Sequence, residues 1–430
     1  MNVNNAPELA TTVDAAADST ADSTSSTTGL IGLPALMKLA FNNGDLATVA
    51  EKLLARINTD PFDANALMDM SIFLILRGST KIAMNMRGLA IKTQQLYHYP
   101  RESGNNGKIR LLAILGPGDL MANSPVEFLI EGSQINLDLV FVTPELGLPE
   151  QLPEHDVVYV AVAESDENQF LLAQLEQQLQ AWPVPVINRP GHIAHLSRDS
   201  ACALLSNLPG ISMPPTVRMP RSMLEQQPEQ LHQSDTILRN QLGGAGFPII
   251  IRPIDSHAGQ DLLKIDDAAG LANYLANSSE SVFFVSPFVD YRSTDGQFRK
   301  YRIILINGKP YACHMAISGR WMVHYLNADM LDNADNRDQE ALFMEKFTHD
   351  FAARHATAMA AISAQLELEY VGIDCGETPD GQLLIFEVDS NMVVHNLDSP
   401  IKFPYKQGAI RTLFGAFATM VEQKITAQQG

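Results

Sequence analysis

Three acidic residues near the C-terminal end of the chain have a spacing that could hold a metal ion. Asp374, Glu387 and Asp389 lie in two β-branched and apolar runs that flank Asp380-Gly381. Asp-Gly between such runs indicates a hairpin with a two-residue type I′ turn. That turn places Asp374 opposite Glu387 and Asp389 opposite Gly372, so all three carboxylates emerge on one face.

The crowding of these carboxylates predicts a bound cation, because like charges at short range repel one another strongly. A hard divalent ion with oxygen ligands fits, and Mg²⁺ held by one or two carboxylates and substrate phosphates fits best. The alternative is an edge hairpin with a solvated acidic face. The apolar residues around the acids favour the metal site.

A second candidate site lies where the apolar strand 247–253 delivers Arg252 into a loop of small residues. A fixed positive charge beside free backbone N–H groups is what a polyphosphate needs. A plain hairpin connection is the alternative interpretation of this loop. Familiar motifs are absent from the sequence, which contains no GxxxxGK(S/T) and no HExxH, and Gly244-Ala245-Gly246 precedes a strand instead of following one.

Composition limits the class of protein. With 430 residues, 46% hydrophobic and 18% charged, the chain can bury a large core divided among two to four domains. A net charge of −19 argues against a nucleic-acid partner. Three widely spaced cysteines exclude a zinc ribbon and favour a reducing compartment. With no membrane span and no secretory signal in the sequence, we expect a cytoplasmic location.

The N-terminal part of the chain differs in texture from the rest. Residues 1–29 are rich in Ala, Ser, Thr and Asp, which predicts a disordered tail. Residues 30–100 have a helical pattern, with Gly44 and Gly78 in turns 34 residues apart, and resemble tetratricopeptide repeats. Two units are too few for an independent solenoid, so we expect them to pack on another domain. They would serve either as a dimer or scaffold element or as a peptide-binding groove.

The remaining chain predicts two kinds of domain. Strands and helices alternate over residues 101–195, which indicates an α/β domain with a parallel sheet. Residues 196–430 contain, in order, the strand that ends in a cation, an apolar segment near 283–289, a basic hairpin closed by Asn307-Gly308, a helix at about 337–366 and the acidic hairpin.

This order resembles the ATP-grasp superfamily, whose members hold Mg-ATP between two α+β lobes, and the resemblance covers roughly residues 108–425. It implies a multidomain α/β and α+β fold. In that fold a pre-grasp α/β domain at 101–195 precedes an ATP-grasp domain of two ATP-clasping lobes at 196–430. The short all-α helical-repeat segment would come before both.

The resemblance also implies roles for individual residues. The nucleotide ATP would be bound by Arg252, Ser256, His257, Ala258, Gly259, Pro287, Phe288, Val289 and Asp290. The transferred phosphoryl group would face Arg302 and Arg320, and the substrate would contact Ser318, His324, Asn391 and His395. The metal ion, Mg²⁺ or alternatively Mn²⁺, would be held by Asp374, Glu387 and Asp389.

Three departures from the family pattern affect these roles. Arg252 replaces the usual lysine, and the two cations are not geometrically interchangeable. The small-residue loop has a single glycine, Gly259, where relatives often have several. Asp389 replaces the customary asparagine, which adds negative charge, although Asn391 could supply the amide instead.

The function implied by the resemblance is an ATP-dependent carboxylate–amine ligase with small amino-acid-like or peptide substrates. A carboxylate would be activated as an acyl phosphate and then attacked by an amine, or by a thiol. Two alternatives remain: a nucleotide-binding adaptor that uses the helical repeats for protein interaction, and a kinase-like phosphotransferase. We expect small-molecule substrates, no nucleic acid or membrane partner, and a dimer or protein contact through the helical segment.

Overall fold

The structure is a computed structural model that describes residues 29–100, 107–225, 232–254, 256 and 259–429. The predicted disordered tail lies outside these residues, except for its last residue. Within the described ranges, no helix is long and apolar enough to cross a membrane.

Four helices form the N-terminal segment: α1 (Leu33–Phe41), α2 (Leu46–Thr59), α3 (Ala64–Leu76) and α4 (Thr80–Thr93). The side chains of Asp45 and Asp63 cap α2 and α3, since each accepts a hydrogen bond from a backbone N–H in the first turn. Asp69 is fully buried in α3 and accepts hydrogen bonds from the N–H groups of Ile31 (2.7 Å) and Gly32 (2.9 Å). These bonds tie the chain entering α1 to the helices; the tetratricopeptide character of the segment stays a prediction.

A five-stranded sheet in the order β1-β3-β2-β4-β5 follows. Its strands are β1 (Leu96–His98), β2 (Ile109–Leu115), β3 (Ile135–Phe141), β4 (Val157–Val160) and β5 (Val186–Ile187). The last four run parallel, and β1 pairs antiparallel with β3 at one edge. The accompanying helices are α5 (Val126–Leu129), α6 (Gln169–Leu179) and α7 (Pro190–Ile193). The predicted parallel sheet is confirmed.

The first lobe is a four-stranded antiparallel sheet in the order β7-β10-β8-β9. The chain reaches it through α8 (Arg198–Leu205) and β6 (Ile211–Ser212). Its strands are β7 (Val217–Pro220), β8 (Ile249–Pro253), β9 (Leu263–Ile265) and β10 (Val282–Pro287). Its helices are α9 (Arg221–Leu224), α10 (His232–Gln241) and α11 (Ala268–Ala276).

The second lobe is a five-stranded sheet in the order β12-β11-β13-β14-β6. Its strands are β11 (Phe298–Ile306), β12 (Lys309–Ser318), β13 (Tyr370–Glu377) and β14 (Leu383–Asp389), with β6 added in parallel to β14. The β11–β12 hairpin turns at Asn307 (φ 46°) and Gly308 (φ 73°), both in the left-handed region, as a two-residue Asn-Gly turn requires.

The prediction of a single helix at about 337–366 is wrong. Its place is taken by α12 (Ala334–Lys346), α13 (Phe351–Arg354) and α14 (Ala356–Leu366), and α15 (Lys406–Gln429) ends the chain. The break between α13 and α14 lies at His355, whose imidazole Nε2 lies 2.8 Å from a carboxylate oxygen of Glu377 in β13 and donates a hydrogen bond to it. The ring of Phe351 packs on Tyr301 of β11 at 4.6 Å. These tertiary contacts override the helical periodicity.

One continuous apolar core joins the helical segment to the rest of the molecule. It includes Leu36 of α1, Leu67 of α3, Tyr159 of β4 and Phe417 of α15. The expectation that the short segment packs on another domain agrees with this core. The predicted fold class is confirmed: an all-α segment, a parallel α/β domain and two α+β lobes. The predicted domain boundaries remain predictions, since the first two units share their core.

Candidate active site

A cleft of about 980 Å³ lies between the sheets of the two lobes. One wall is formed by β8 and β10, and the other by β11, β12, β13 and β14. The segment 391–410 and the end of α1 also line it. The predicted site residues that line the cleft are Arg252, Gly259, Pro287, Phe288, Val289, Arg302, His324, Asp374, Glu387, Asp389, Asn391 and His395.

The other predicted site residues are not part of this wall. Asp290 is exposed and forms an ion pair with Arg292 at 2.5 Å. Ser318 and Arg320 lie in a local turn at the end of β12, where the Ser318 hydroxyl accepts a hydrogen bond from the Arg320 N–H at 3.1 Å. Ser256 lines a smaller chamber, of about 50 Å³, that shares Arg252 with the cleft. The predicted residues His257 and Ala258 lie outside the described residues.

The β13–β14 hairpin has the register that the sequence predicts near the acids. Asp374 is opposite Glu387, and Gly372 is opposite Asp389. All three carboxylates line the same cleft, so the hairpin presents them on one face.

The turn of this hairpin differs from the prediction. A backbone hydrogen bond from the Thr378 N–H to the Gln382 carbonyl closes a loop of three residues, with Gly381 at φ 84°. The prediction of a two-residue type I′ turn is therefore wrong. A bulge restores the register, because Cys375 pairs with Ile385 while the preceding residue, Asp374, pairs with Glu387. The extra loop residue and the bulge cancel each other.

Asp374 is neutralised by two cations of the neighbouring strand β11. Arg302 donates to both carboxylate oxygens, at 2.8 and 3.0 Å, and the ammonium of Lys300 lies 2.6 Å away. Burial opposes ionisation of Asp374, but these cations outweigh it and hold the pKa of the carboxyl well below its usual range. The pair is the cross-strand partnership that the register of Arg302 and Asp374 dictates.

Asp389 is in the opposite electrostatic situation. Its carboxylate accepts a hydrogen bond from the Asn391 N–H at 3.2 Å, and no cation of the described residues lies within ion-pair distance of it. Burial, and then the charge of Glu387, raise the pKa of Asp389 to about 7. Glu387 itself pairs with Arg198 of α8 at 2.5 Å. Asp389 therefore has no cationic partner among the described residues.

Arg252 has no anionic partner among the described residues. It is 8% exposed, and its Nε donates to the Ser256 hydroxyl at 3.0 Å, with no carboxylate of the described chain within ion-pair distance. Burial, and then repulsion by Arg198, lower the pKa of the Arg252 guanidinium to about 9. Arg252 and Asp389 line the same small chamber. The two lobes thus bring together Arg252 and Asp389, which have opposite charges and no ion-pair partner among the described residues.

The predicted ligation of a metal ion by Asp374, Glu387 and Asp389 stays a prediction. Among the residues that the structure describes, no group of three or more His, Cys, Asp or Glu side chains is placed to hold a metal ion. The reason is that both oxygens of Asp374 are engaged by Arg302 and Lys300. Glu387 and Asp389 remain as donors.

Asn391 adds a further oxygen to this reduced donor set. Its Nδ2 donates to the carbonyl of Met121, whereas its buried Oδ1 has no hydrogen-bond partner within the described part of the chain. Carboxylate and amide oxygens suit Mg²⁺, which keeps waters or phosphate oxygens in its remaining positions. The residues present therefore fit a magnesium ion bound together with a phosphate ligand.

Two cations of the cleft were missed by sequence analysis. Lys300 lies two positions before Arg302 in β11, so strand alternation alone would have placed it on the same face. Arg198 lies at the start of α8 and is 189 residues from its partner Glu387, and no local signal reveals that contact.

A buried polar network lies where α15 meets the cleft. The ammonium of Lys406 lies 2.8 Å from Asp398, donates to the Tyr325 hydroxyl and lies 3.6 Å from Glu340. The ring of His314 packs at a tilt against that of Tyr325, with centroids 4.7 Å apart, and its buried Nδ1 has no partner among the described atoms.

Burial favours the neutral form of the histidines that line the cleft. Burial, with Arg302 nearby, lowers the pKa of His314 well below its usual value. Burial likewise lowers the pKa of His324 and His395. This part of the cleft can therefore form hydrogen bonds to a ligand without adding positive charge.

No family model matches the chain, and no curated protein matches it. Among solved structures it is similar to the D-alanine–D-alanine ligase from Bacillus anthracis complexed with ATP, with 13% identity over 74% of this chain and 99% of that chain and a TM-score of 0.44.

Two further structures are similar to the chain. The VanG D-Ala:D-Ser ligase from Enterococcus faecalis has 13% identity, coverage of 74% and 99%, and a TM-score of 0.44. The RimK domain protein ATP-grasp from Sphaerobacter thermophilus has 17% identity, coverage of 72% and 99%, and a TM-score of 0.40. At these values the likeness carries no activity over to this chain. The sheets themselves have the arrangement that the sequence predicts, a parallel α/β domain followed by two α+β lobes.

Proposed function

We propose that this chain is an ATP-dependent ligase that activates a carboxylate as an acyl phosphate and transfers the acyl group to an amine. The main support is the pair of opposite charges, Arg252 and Asp389, that line one chamber and lack ion-pair partners among the described residues. A nucleoside triphosphate with its divalent ion supplies both partners at once, since phosphate oxygens suit the guanidinium and the ion suits the carboxylate. A ligand of one charge sign would satisfy only one of them.

The adenine would lie along Pro287, Phe288 and Val289, which follow β10 and line the cleft. The Phe288 ring is held by the edge of Trp321, with centroids 5.8 Å apart, and by the ammonium of Lys264 at 5.0 Å. A fixed aromatic wall suits a flat base. The predicted ribose contact of Asp290 has no such support, because that side chain pairs with Arg292.

Magnesium would be held by Glu387, Asp389 and the side-chain oxygen of Asn391. When bound, the ion supplies charge neutralisation for the phosphate oxygens. On β11, Lys300 and Arg302 share a single carboxylate, Asp374, so one positive charge remains uncompensated beside the cleft. That residual charge would stabilise the transferring phosphoryl group.

The reaction proceeds in two displacements. A carboxylate oxygen of the substrate attacks the γ-phosphorus of ATP, and ADP leaves. The amine then attacks the carbonyl carbon of the acyl phosphate, phosphate leaves and the amine loses a proton. An amine must be uncharged to attack, and the neutral imidazoles of His314 and His395 in this wall do not oppose its arrival by charge.

Hydroxylamine provides the test, because it traps acyl phosphates as hydroxamates. The protein is incubated with Mg-ATP, hydroxylamine and pools of amino acids and other carboxylates, and ADP, phosphate and hydroxamate are measured. A ligase forms all three in equal amounts. A phosphorylated product without phosphate release would indicate the phosphotransferase instead, and nucleotide binding without ADP from any pool would indicate the adaptor.

Matched arginine variants link the activity to this site. Arg252→Met should abolish ADP formation, whereas Arg292→Met, which removes an exposed arginine paired with Asp290, should leave it unchanged. Equal activity in both variants would separate any observed turnover from the cleft.

A further inference from the structure

Two large apolar side chains are exposed inside the cleft. Phe41 is 48% exposed and Leu331 is 58% exposed, and both line it. The other large apolar side chains with comparable exposure in the described ranges lie outside the cleft, Leu54 of α2 among them. Apolar surface left open in a binding cleft is covered favourably by an apolar part of a ligand.

Phe41 belongs to the helical segment, so that segment builds part of the wall. It is the last residue of α1, and its ring packs edge-on against His395 with centroids 5.4 Å apart. Phe128 of the α/β domain lies on the same imidazole, at 6.1 Å. Because α1 is anchored through the fully buried Leu36, the position of Phe41 is fixed by the core.

Phe41 lies close to Arg302, the cation that would contact the reacting carboxylate. Arg302 donates to the carbonyl of Val393 at 3.4 Å, and Val393 is two residues from His395. Two residues of extended chain span at most roughly 7 Å. A molecule of modest size can therefore reach from Arg302 to Phe41.

We infer that the carboxylate substrate has a bulky aromatic or branched apolar body, which packs on Phe41 and Leu331 while its carboxylate faces Arg302. This inference rests on the proposed ligase function and narrows the expectation of small amino-acid-like or peptide substrates to those with a bulky apolar body. The helical segment is then part of the specificity site and not only a scaffold.

Intrinsic fluorescence gives a binding readout that does not need turnover. The chain has two tryptophans, Trp182 and Trp321, and Trp321 lines the cleft. In a Trp182→Phe background, Trp321 is titrated with the matched pairs propionate and 3-phenylpropionate, and alanine and phenylalanine, in the presence of magnesium and a non-hydrolysable ATP analogue. We expect the phenyl-bearing member of each pair to bind at least tenfold more tightly.

The variants Phe41→Ala and Leu331→Ala should each remove most of that preference without changing affinity for the ATP analogue. Leu54→Ala, which truncates a side chain exposed to 49% on α2, is the control and should change neither affinity. Equal affinity within each pair, no binding of the phenyl-bearing members, or an unchanged preference in both cleft variants would overturn the inference. Failure of the ATP analogue to bind would instead overturn the proposed function.

Discussion

Two isosteric substitutions on one hairpin should change stability in opposite directions. Asp389→Asn removes a half-buried carboxylate that has no ion-pair partner among the described residues, whereas Asp374→Asn removes one that pairs with both Arg302 and Lys300. Both variants keep the shape of the side chain and make the same exchange of one carboxylate oxygen for an amide NH2 group. Any difference between them therefore reports charge.

The gain from Asp389→Asn follows from the raised pKa. An unperturbed value of 3.8 that becomes about 7 in the folded protein means that folding retains a proton which the unfolded chain has lost. Stability is therefore lost as the pH rises from about 4 to above 7, by about 4 kcal/mol at pH 8. The asparagine variant should be more stable by up to that amount at pH 8 and by less than about 1 kcal/mol at pH 4.

The loss from Asp374→Asn follows from the charges left behind. Arg302 would remain in the cleft wall without its carboxylate, and removing one partner of a buried ion pair typically costs roughly 3–5 kcal/mol. Because the pKa of Asp374 is lowered, its stabilising contribution is present above the unfolded pKa and is lost only in strong acid. The penalty should therefore be nearly constant between pH 5 and pH 8.

Native-state hydrogen exchange of the amides in β13 and β14 measures the free energy of opening this lobe, and a chelator keeps divalent ions away. The expected result is slower exchange in Asp389→Asn and faster exchange in Asp374→Asn at pH 8, relative to the unsubstituted protein. Faster exchange in both variants would show that Asp389 has a stabilising partner, and the electrostatic argument for the site would be refuted.

Three further predictions follow from the same contacts. Arg252→Met should weaken binding of a non-hydrolysable ATP analogue more than tenfold in calorimetry, because a buried guanidinium loses its phosphates, while Arg292→Met should not change it. Glu387→Gln should abolish ADP formation while leaving the circular dichroism spectrum intact, and undiminished turnover would remove Glu387 from the metal site. Burial raises the pKa of Glu127 to about 7, so Glu127→Gln should stabilise the protein by about 3 kcal/mol at pH 8 and hardly at all at pH 4, as denaturation at the two pH values would show.

Strand periodicity and turn chemistry were readable from the sequence, whereas side-chain pairing was not. Alternation placed Asp374, Glu387 and Asp389 in their observed register even though the turn was wrong, because the bulge compensates for the longer loop. The identity of the neutralising charge depends on which strand lies beside β13. That strand is β11, and its Arg302 and Lys300 both pair with Asp374.

The contribution of the helical segment could not be predicted for a similar reason. Periodicity identified its helices. In the sequence, nothing distinguishes Phe41 from the other apolar residues of the segment. Its place in the cleft depends on how the segment docks on the rest of the molecule, through contacts such as that of its ring with His395. Docking of this kind is set by tertiary packing between residues hundreds of positions apart, and no local pattern encodes it.

The unpaired charges also indicate what would bring the lobes together. Arg252 belongs to the sheet of the first lobe and Asp389 to that of the second, and both are desolvated without an ion-pair partner in the described chain. Each charge costs free energy where it lies, and direct pairing of the two would have removed both costs. Because they line one chamber yet do not pair, the structure leaves space between them for a ligand that carries both signs. Binding of such a ligand would convert two destabilising groups into two contacts that span the lobes, so closure would depend on the ligand.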